Sequence, residues 1–250
     1  MTWLVAVAQR RGHEMRRGLL DNLVLVVAVV LLFVALYLAA SGVAGASVDD
    51  SKWSSLAVGY VTFLLLQQSL QAFNGYVNGA AATGLLEVLA LSRPGLVRVL
   101  GAEFACQSAL ELARVAVALA VIVAVTGQSI EADVPALSVV LLPMMASVAG
   151  VGLAMAGATL AFKRTSGLAA ILSFGLLALI AAPVDRVVAL RLLPVADGSF
   201  LLRAVVNGES LGVVRVLGVW ANGAVYLALG VVAFAWFERV AKDRGALAHA

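Results

Sequence analysis

The sequence predicts an all-α, polytopic membrane protein with six transmembrane helices, and three observations carry that prediction. Six long stretches contain no Asp, Glu, Lys or Arg: Leu23–Ser41, Trp53–Leu86, Val115–Ile130, Val134–Phe162, Thr165–Val184 and Val216–Phe237. About 20 apolar residues suffice to cross a bilayer. The composition is 63% hydrophobic and 12% charged, with a mean hydropathy of +1.04, where an ordinary globular domain carries about 25% charged residues. The third observation is the distribution of the basic residues.

Arg10, Arg11, Arg16, Arg17, Arg93, Arg98, Lys163, Arg164, Arg239, Lys242 and Arg244 fall in joints of one side, and Lys52, Arg186, Arg191, Arg203 and Arg215 in joints of the other, with Arg114 inside a span. Eleven against five places the first set, and both termini, in the cytoplasm. The net charge of +3 does not point to nucleic acid, because the basic residues flank apolar spans and form no continuous stripe with interleaved aromatics.

In order along the chain, residues 1–18 carry Trp3, Leu4 and Val7 with basic residues close behind, the pattern of a short helix in the cytoplasmic interface. The apolar run before Ala44-Gly45-Ala46 is longer than the 7 to 15 residues of a signal peptide, so cleavage there is not expected. Trp53–Leu86 is too long for a perpendicular crossing and must tilt, break or run on along the inner surface. The third span must take in Glu111 and Arg114. Phe162-Lys163-Arg164-Thr165 is a tight inner turn, and 185–215, broken by Pro194 and Gly198, reads as an outer helical hairpin packed at the outer leaflet or dipping into it.

Several residues on these spans can carry chemistry. Gln67, Gln71, Asn74 and Asn78 are spaced by four, three and four, which aligns four amides on one helical face. An amide in hydrocarbon is costly without a partner, so the stripe faces protein or water. Its commoner use is interhelical glue; the sharper reading is the polar side of a translocation path. Glu103, Gln107 and Glu111 recur every four residues, and Arg114 is placed to form an intramembrane ion pair with Glu111. Glu103 lies nearer the cytoplasmic end, where a carboxylate can meet water or a partner. Gly75 and Gly79, and a ridge of Gly150, Ala154 and Ala158, read as close-packing surfaces. Cys106 is the only cysteine and His13 and His249 stand near opposite ends, which gives no disulfide and no metal site. No HExxH, GxSxG or GxxxxGK[ST] pattern occurs, so no catalytic residue is assigned and no ATP is hydrolysed through a P-loop of this chain.

The joint Thr83-Gly84-Leu85-Leu86-Glu87-Val88-Leu89-Ala90-Leu91-Ser92-Arg93-Pro94 resembles the coupling segment of ATP-binding-cassette (ABC) transporter permeases of the type-2 exporter class. Gly84, Leu86, Glu87, Leu89, Ser92 and Pro94 match the pattern, and the order of the other elements agrees over nearly the whole chain. The resemblance implies a single permease domain over 1–250, with a cytoplasmic coupling helix in 83–95. Gly84, Leu85, Leu86, Glu87, Leu89, Ser92 and Pro94 would contact a separate cytoplasmic ABC ATPase subunit. ATP and Mg would be bound by that partner and no cofactor by this chain. A second permease, identical or similar, would complete a dimer that exports an amphipathic or lipid-like molecule. The residues themselves make this joint a reasonable plug: Gly84 frees the turn, the leucines offer an apolar face, Glu87 one charge, and Pro94 ends the helix. The neutral Asn78-Gly79-Ala80-Ala81-Ala82 departs from the family, whose members often place a charge there. Two rival readings are a lipid-modifying membrane enzyme using Glu103 or Glu111 as base, and a non-catalytic membrane assembly or immunity factor binding through 185–215.

Overall fold

The computed structural model describes residues 24, 27–35, 38–39, 50–82, 96–126, 134–162, 166–180, 184, 188–206, 208–209 and 212–243, and among these the only regular structure is helical. Six α-helices follow in order: α1 (Asp50–Ala82), α2 (Leu96–Thr126), α3 (Val134–Phe162), α4 (Ser166–Ile180), α5 (Ala196–Val206) and α6 (Val213–Asp243), with a 3₁₀ helix at Val188–Leu192 before α5. Residues 27–35 are also helical and pack on the start of α1, where Phe33 lies 5.7 Å from the Tyr60 ring and the Tyr60 hydroxyl donates to the Val29 carbonyl at 2.9 Å. The interfacial segment 1–18 and the joint 83–95 lie outside the described residues.

Two of these helices, over Pro135–Phe162 and Val213–Asp243, are long and apolar enough to cross a membrane, and Gly167–Ile180 is a shorter apolar one. Helix α1 is as long, but it dilutes its apolar residues with Gln67, Gln68, Gln71, Asn74 and Asn78. The 33 residues of α1 form one unbroken helix of about 50 Å, so the overlong span does not break within its described part, up to Ala82. Helix α2 likewise runs without interruption through Glu103, Glu111 and Arg114.

Helices α3 and α6 make the most extensive contact in the fold. Their seam is built on glycines seven residues apart. A Cβ on Gly223 would strike the Pro143 backbone, one on Gly230 the Gly150 backbone, one on Gly150 the backbone of Tyr226 and Leu227, and one on Gly157 would press on Phe234 and Phe237. Positions 143, 150 and 157 thus meet 223, 226–230 and 234–237 in rising order, so the two helices run parallel. Helix α1 runs the same way beside α3, because Leu70 and Phe73 meet Gly152 while Asn74 meets Thr159. Parallel neighbours require a return between them. Helix α2 supplies one: Phe104 stacks on Phe73, and Leu100 joins Val77 and Ala80 further along α1. Ala82, Phe162 and Asp243 therefore finish at one end of the bundle, where α2 begins.

The core has two parts along the bundle. Near that far end Phe73, Val77, Leu100, Leu153, Leu160 and Phe234 cluster; towards the opposite end Leu66, Leu70, Met144, Met145, Ile180, Leu201 and Val219 do. The second cluster is closed by the 188–206 hairpin, which sits deep. Gly198 abuts Met144, about 15 Å along α3 from its first residue, and Asn222 and Tyr226 of α6 both donate to the Leu192 carbonyl. The segment dips into the bundle, with Pro194 outside its helices as expected of a break and Gly198, expected to be a second break, inside the helix Ala196–Val206. Its short helix α5 touches α1, α3, α4 and α6. Ser199 and Arg203 donate to the Ile180 carbonyl, capping a helix of only 15 residues whose last carbonyls have no partner of their own. Val195 holds φ 75 immediately before α5, a left-handed conformation unfavourable for a β-branched residue and maintained here by its burial.

The surface matches this core in polarity to an unusual degree. In the apolar windows of α3 and α6, 67% and 17% respectively are buried, so α6 turns Leu217, Trp220, Val225, Leu229, Val232 and Trp236 outward. A contiguous apolar face of that length is compatible with lipid and unfavourable in water.

Candidate functional site

The amide stripe of α1 does not stay together in one polar channel. Gln67 Nε2 donates to Ser173 Oγ of α4 at 2.9 Å, and Ser173 in turn donates to the Ala169 carbonyl. Asn74 is buried and its Oδ1 accepts from Thr159 Oγ1 of α3 at 2.8 Å; the same hydroxyl faces the Met155 carbonyl at 3.0 Å and has one proton for the two. Gln71 is half-buried and Asn78 exposed. Two of the four amides therefore join α1 to two different helices, which is the glue that polar groups in such bundles provide. Gln67 Oε1 is buried without a hydrogen-bond partner.

The carboxylates of α2 are withdrawn from solvent. Glu103 and Glu111 are each 5% exposed, so of the two expectations for Glu103, water or a partner, burial disfavours water; the helix begins at Leu96 and carries Glu103 inside the bundle. Glu111 Oε1 accepts from Gln107 Nε2 at 2.8 Å, one turn earlier on the same helix. The Arg114 side chain, its expected ion-pair partner, lies outside the described residues. So do Gly84, Leu85, Leu86, Glu87, Leu89, Ser92 and Pro94.

Beside Glu103 and Glu111, α2 presents a second stripe that the sequence reading did not single out. Phe104, Ser108 and Leu112, spaced by four, line an apolar groove of about 570 Å³ whose far wall is Leu142, Met145 and Leu153 of α3 with Leu227 and Val231 of α6. That volume falls within the range of about 300–1,000 Å³ typical of small-molecule sites. The groove exists because α2 leans on α1 through the 4.8 Å Phe73–Phe104 stack and barely touches α6. Ser108 Oγ is its one buried polar group without a hydrogen-bond partner. None of Gln67, Gln71, Asn74 and Asn78 lines it. The i, i+4 spacing was visible in the sequence, but only the tilt of α2 away from α6 makes it a cavity wall.

The expected close-packing glycines divide in the same way. A Cβ added to Gly75 or Gly79 would meet nothing within 4 Å, so among the described residues no helix packs closely on them. On α3 the closest helix approaches are at Gly150 and Gly157, seven residues apart, and of the expected series Gly150, Ala154 and Ala158 the last is buried as well. Among the described residues no group of three or more His, Cys, Asp and Glu is placed to hold a metal. No family model matches this chain, and no curated protein matches it in sequence.

Proposed function

We propose that this chain is the membrane-spanning permease subunit of an ATP-driven ABC exporter, crossing the cytoplasmic membrane six times with both termini inside. It works as a dimer, with an identical or similar permease, on a separate cytoplasmic ATPase that binds ATP and Mg. The observation that carries this reading is the parallel course of α1, α3 and α6. It brings Ala82 and Leu96, which bracket the coupling-like Gly84–Pro94 pattern, to the end where Phe162 and Asp243 also finish. Lys163, Arg164, Arg239 and Lys242 belong to that end, and the positive-inside rule makes it cytoplasmic. A plug at 83–95 then faces the compartment where ATP is found, and a push on it is transmitted along α1 and α2 as rigid bodies.

The cargo is amphipathic or lipid-like. The groove between α2, α3 and α6 is apolar along its length with Ser108 as its one orphaned hydroxyl, which suits the hydrocarbon portion of such a molecule. The test of the whole reading is the joint. Glu87→Lys, or deletion of Leu85 to Leu89, leaves insertion intact but abolishes recovery of the ATPase with the tagged permease and abolishes export. Undiminished recovery of the ATPase with either variant rejects the reading.

A further inference from the structure

The polar groups of the re-entrant hairpin converge on a space that no side chain fills. Between α3, α6 and the hairpin lies a cavity lined by Pro143, Ser147, Arg191, Asp197 and Asn222, leaving about 10 Å³ for the centre of a water molecule. Ser147 is 1% exposed, and its Oγ has no hydrogen-bond partner within the chain; neither has the buried Arg191 Nε. Buried polar atoms are almost always satisfied, and leaving a hydroxyl and a guanidinium N–H unsatisfied together costs several times the worth of one hydrogen bond.

We infer that this cavity is a binding site for one structural water molecule, which bridges the 3₁₀ helix to α3. Its size is the first argument, since about 10–15 Å³ of such space is what one water needs. Its chemistry is the second. Arg191 Nε–H can only donate, the Ser147 hydroxyl can donate or accept, and the Asp197 carboxylate, 3.7 Å from Arg215, has further lone pairs to offer. Water accepts from the first, exchanges with the second and donates to the third. An anion would face Asp197 and a cation would face Arg191, so a neutral dipole is the occupant that the mixed charge admits. The water adds a link between the hairpin and α3, beside the direct bonds that hold it to α4 and α6.

The sign of one substitution decides between a wet and a dry cavity. With water present, Ser147→Ala removes one of its hydrogen bonds and lowers the Tm of the detergent-purified full-length chain by about 2–4 °C. In a dry cavity the same change deletes an unsatisfied hydroxyl and raises the Tm. Arg191→Met keeps the packed stem and removes the donor, and the double variant with Ser147→Ala is less destabilised than the two single changes together, because the two groups interact only through the water. A rise or no change in Tm for Ser147→Ala, or strict additivity of the pair, overturns the proposal. Replacing chloride by gluconate leaves the wild-type Tm unaltered; a shift would identify an anion and reject the water. A structure resolving solvent directly shows density about 3 Å from both Ser147 Oγ and Arg191 Nε, and an empty site there refutes it.

Discussion

Helices α3 and α6 meet backbone to backbone, whereas α1 and α2 meet through a stack of two rings, and the two contacts fix the molecule in opposite ways. At the first, Gly150, Gly223 and Gly230 allow no added carbon, so register is set by steric exclusion along about two turns. At the second, the Phe73–Phe104 stack is a point of attachment, and a carbon added to Gly75, Gly79 or Gly101 would touch nothing among the described residues. A parallel pair locked by its backbones makes a rigid body. A helix attached at points can leave a groove beside it, and the groove lies on the α2 side. The comparison suggests a division between a static frame of α3 and α6, on which α1 is also closely packed at Gly152, and a more loosely held α2 able to shift beside it.

Substitutions can break each half separately. The largest effect is expected at the seam: Gly150→Val or Gly230→Val drives Cβ atoms into the neighbouring backbone, exceeding the 1–3 kcal/mol of ordinary overpacking. Fluorescence-detected gel filtration then finds little or no monodisperse protein. The control is Gly75→Ala, which meets open space and changes stability by less than about 1 kcal/mol, with a gain the expected direction from helix propensity. Equal damage from both would dissolve the distinction between the two contacts.

The groove is tested next by Ala105→Trp, which places a bulky ring among its lining residues. The protein remains folded, because space is available, and export falls several-fold in cells that carry the ATPase. Unimpaired export with the ring in place would move the cargo elsewhere. The smallest effect belongs to the amide bonds. Thr159→Val keeps shape, removes the donor to Asn74, and lowers stability by about 0.6 kcal/mol and by no more than about 1.7 kcal/mol. Thermal denaturation in detergent measures it, and a larger loss would mean that Asn74 organises more than one helix pair.

Much of the helix layout was legible in the chain. The charge-free stretch Val134–Phe162 is the helix α3 to the residue, and Val216–Phe237 is the middle of α6. Charge-free length reports helix position because a charge inside hydrocarbon is costly and a residue that avoids it leaves a record in composition. The third span was harder to delimit for the same reason: Glu103 and Glu111 sit well inside α2 and are tolerated by burial, with Gln107 donating to Glu111, a compensation composition does not display. The glycine seam was obscured by abundance. With 23 glycines in the chain, spacing of four on α1 and α3 looked as meaningful as spacing of seven, and only the direction of α6 selects Gly150 and Gly157.

The sequence by itself determined an all-helical chain rich in apolar surface, the bounds of α3, the approximate position of α6, and the break at Pro194. These follow from local chemistry: hydropathy, charge and backbone freedom act on each segment in isolation. Only the tertiary structure decided which helices pack against which, that the hairpin dips to the level of Met144 and Tyr226, and that Ser147 and Arg191 share a cavity. Such features depend on distances between residues far apart in the chain, which are set by how whole helices pack and are written in no single stretch of it.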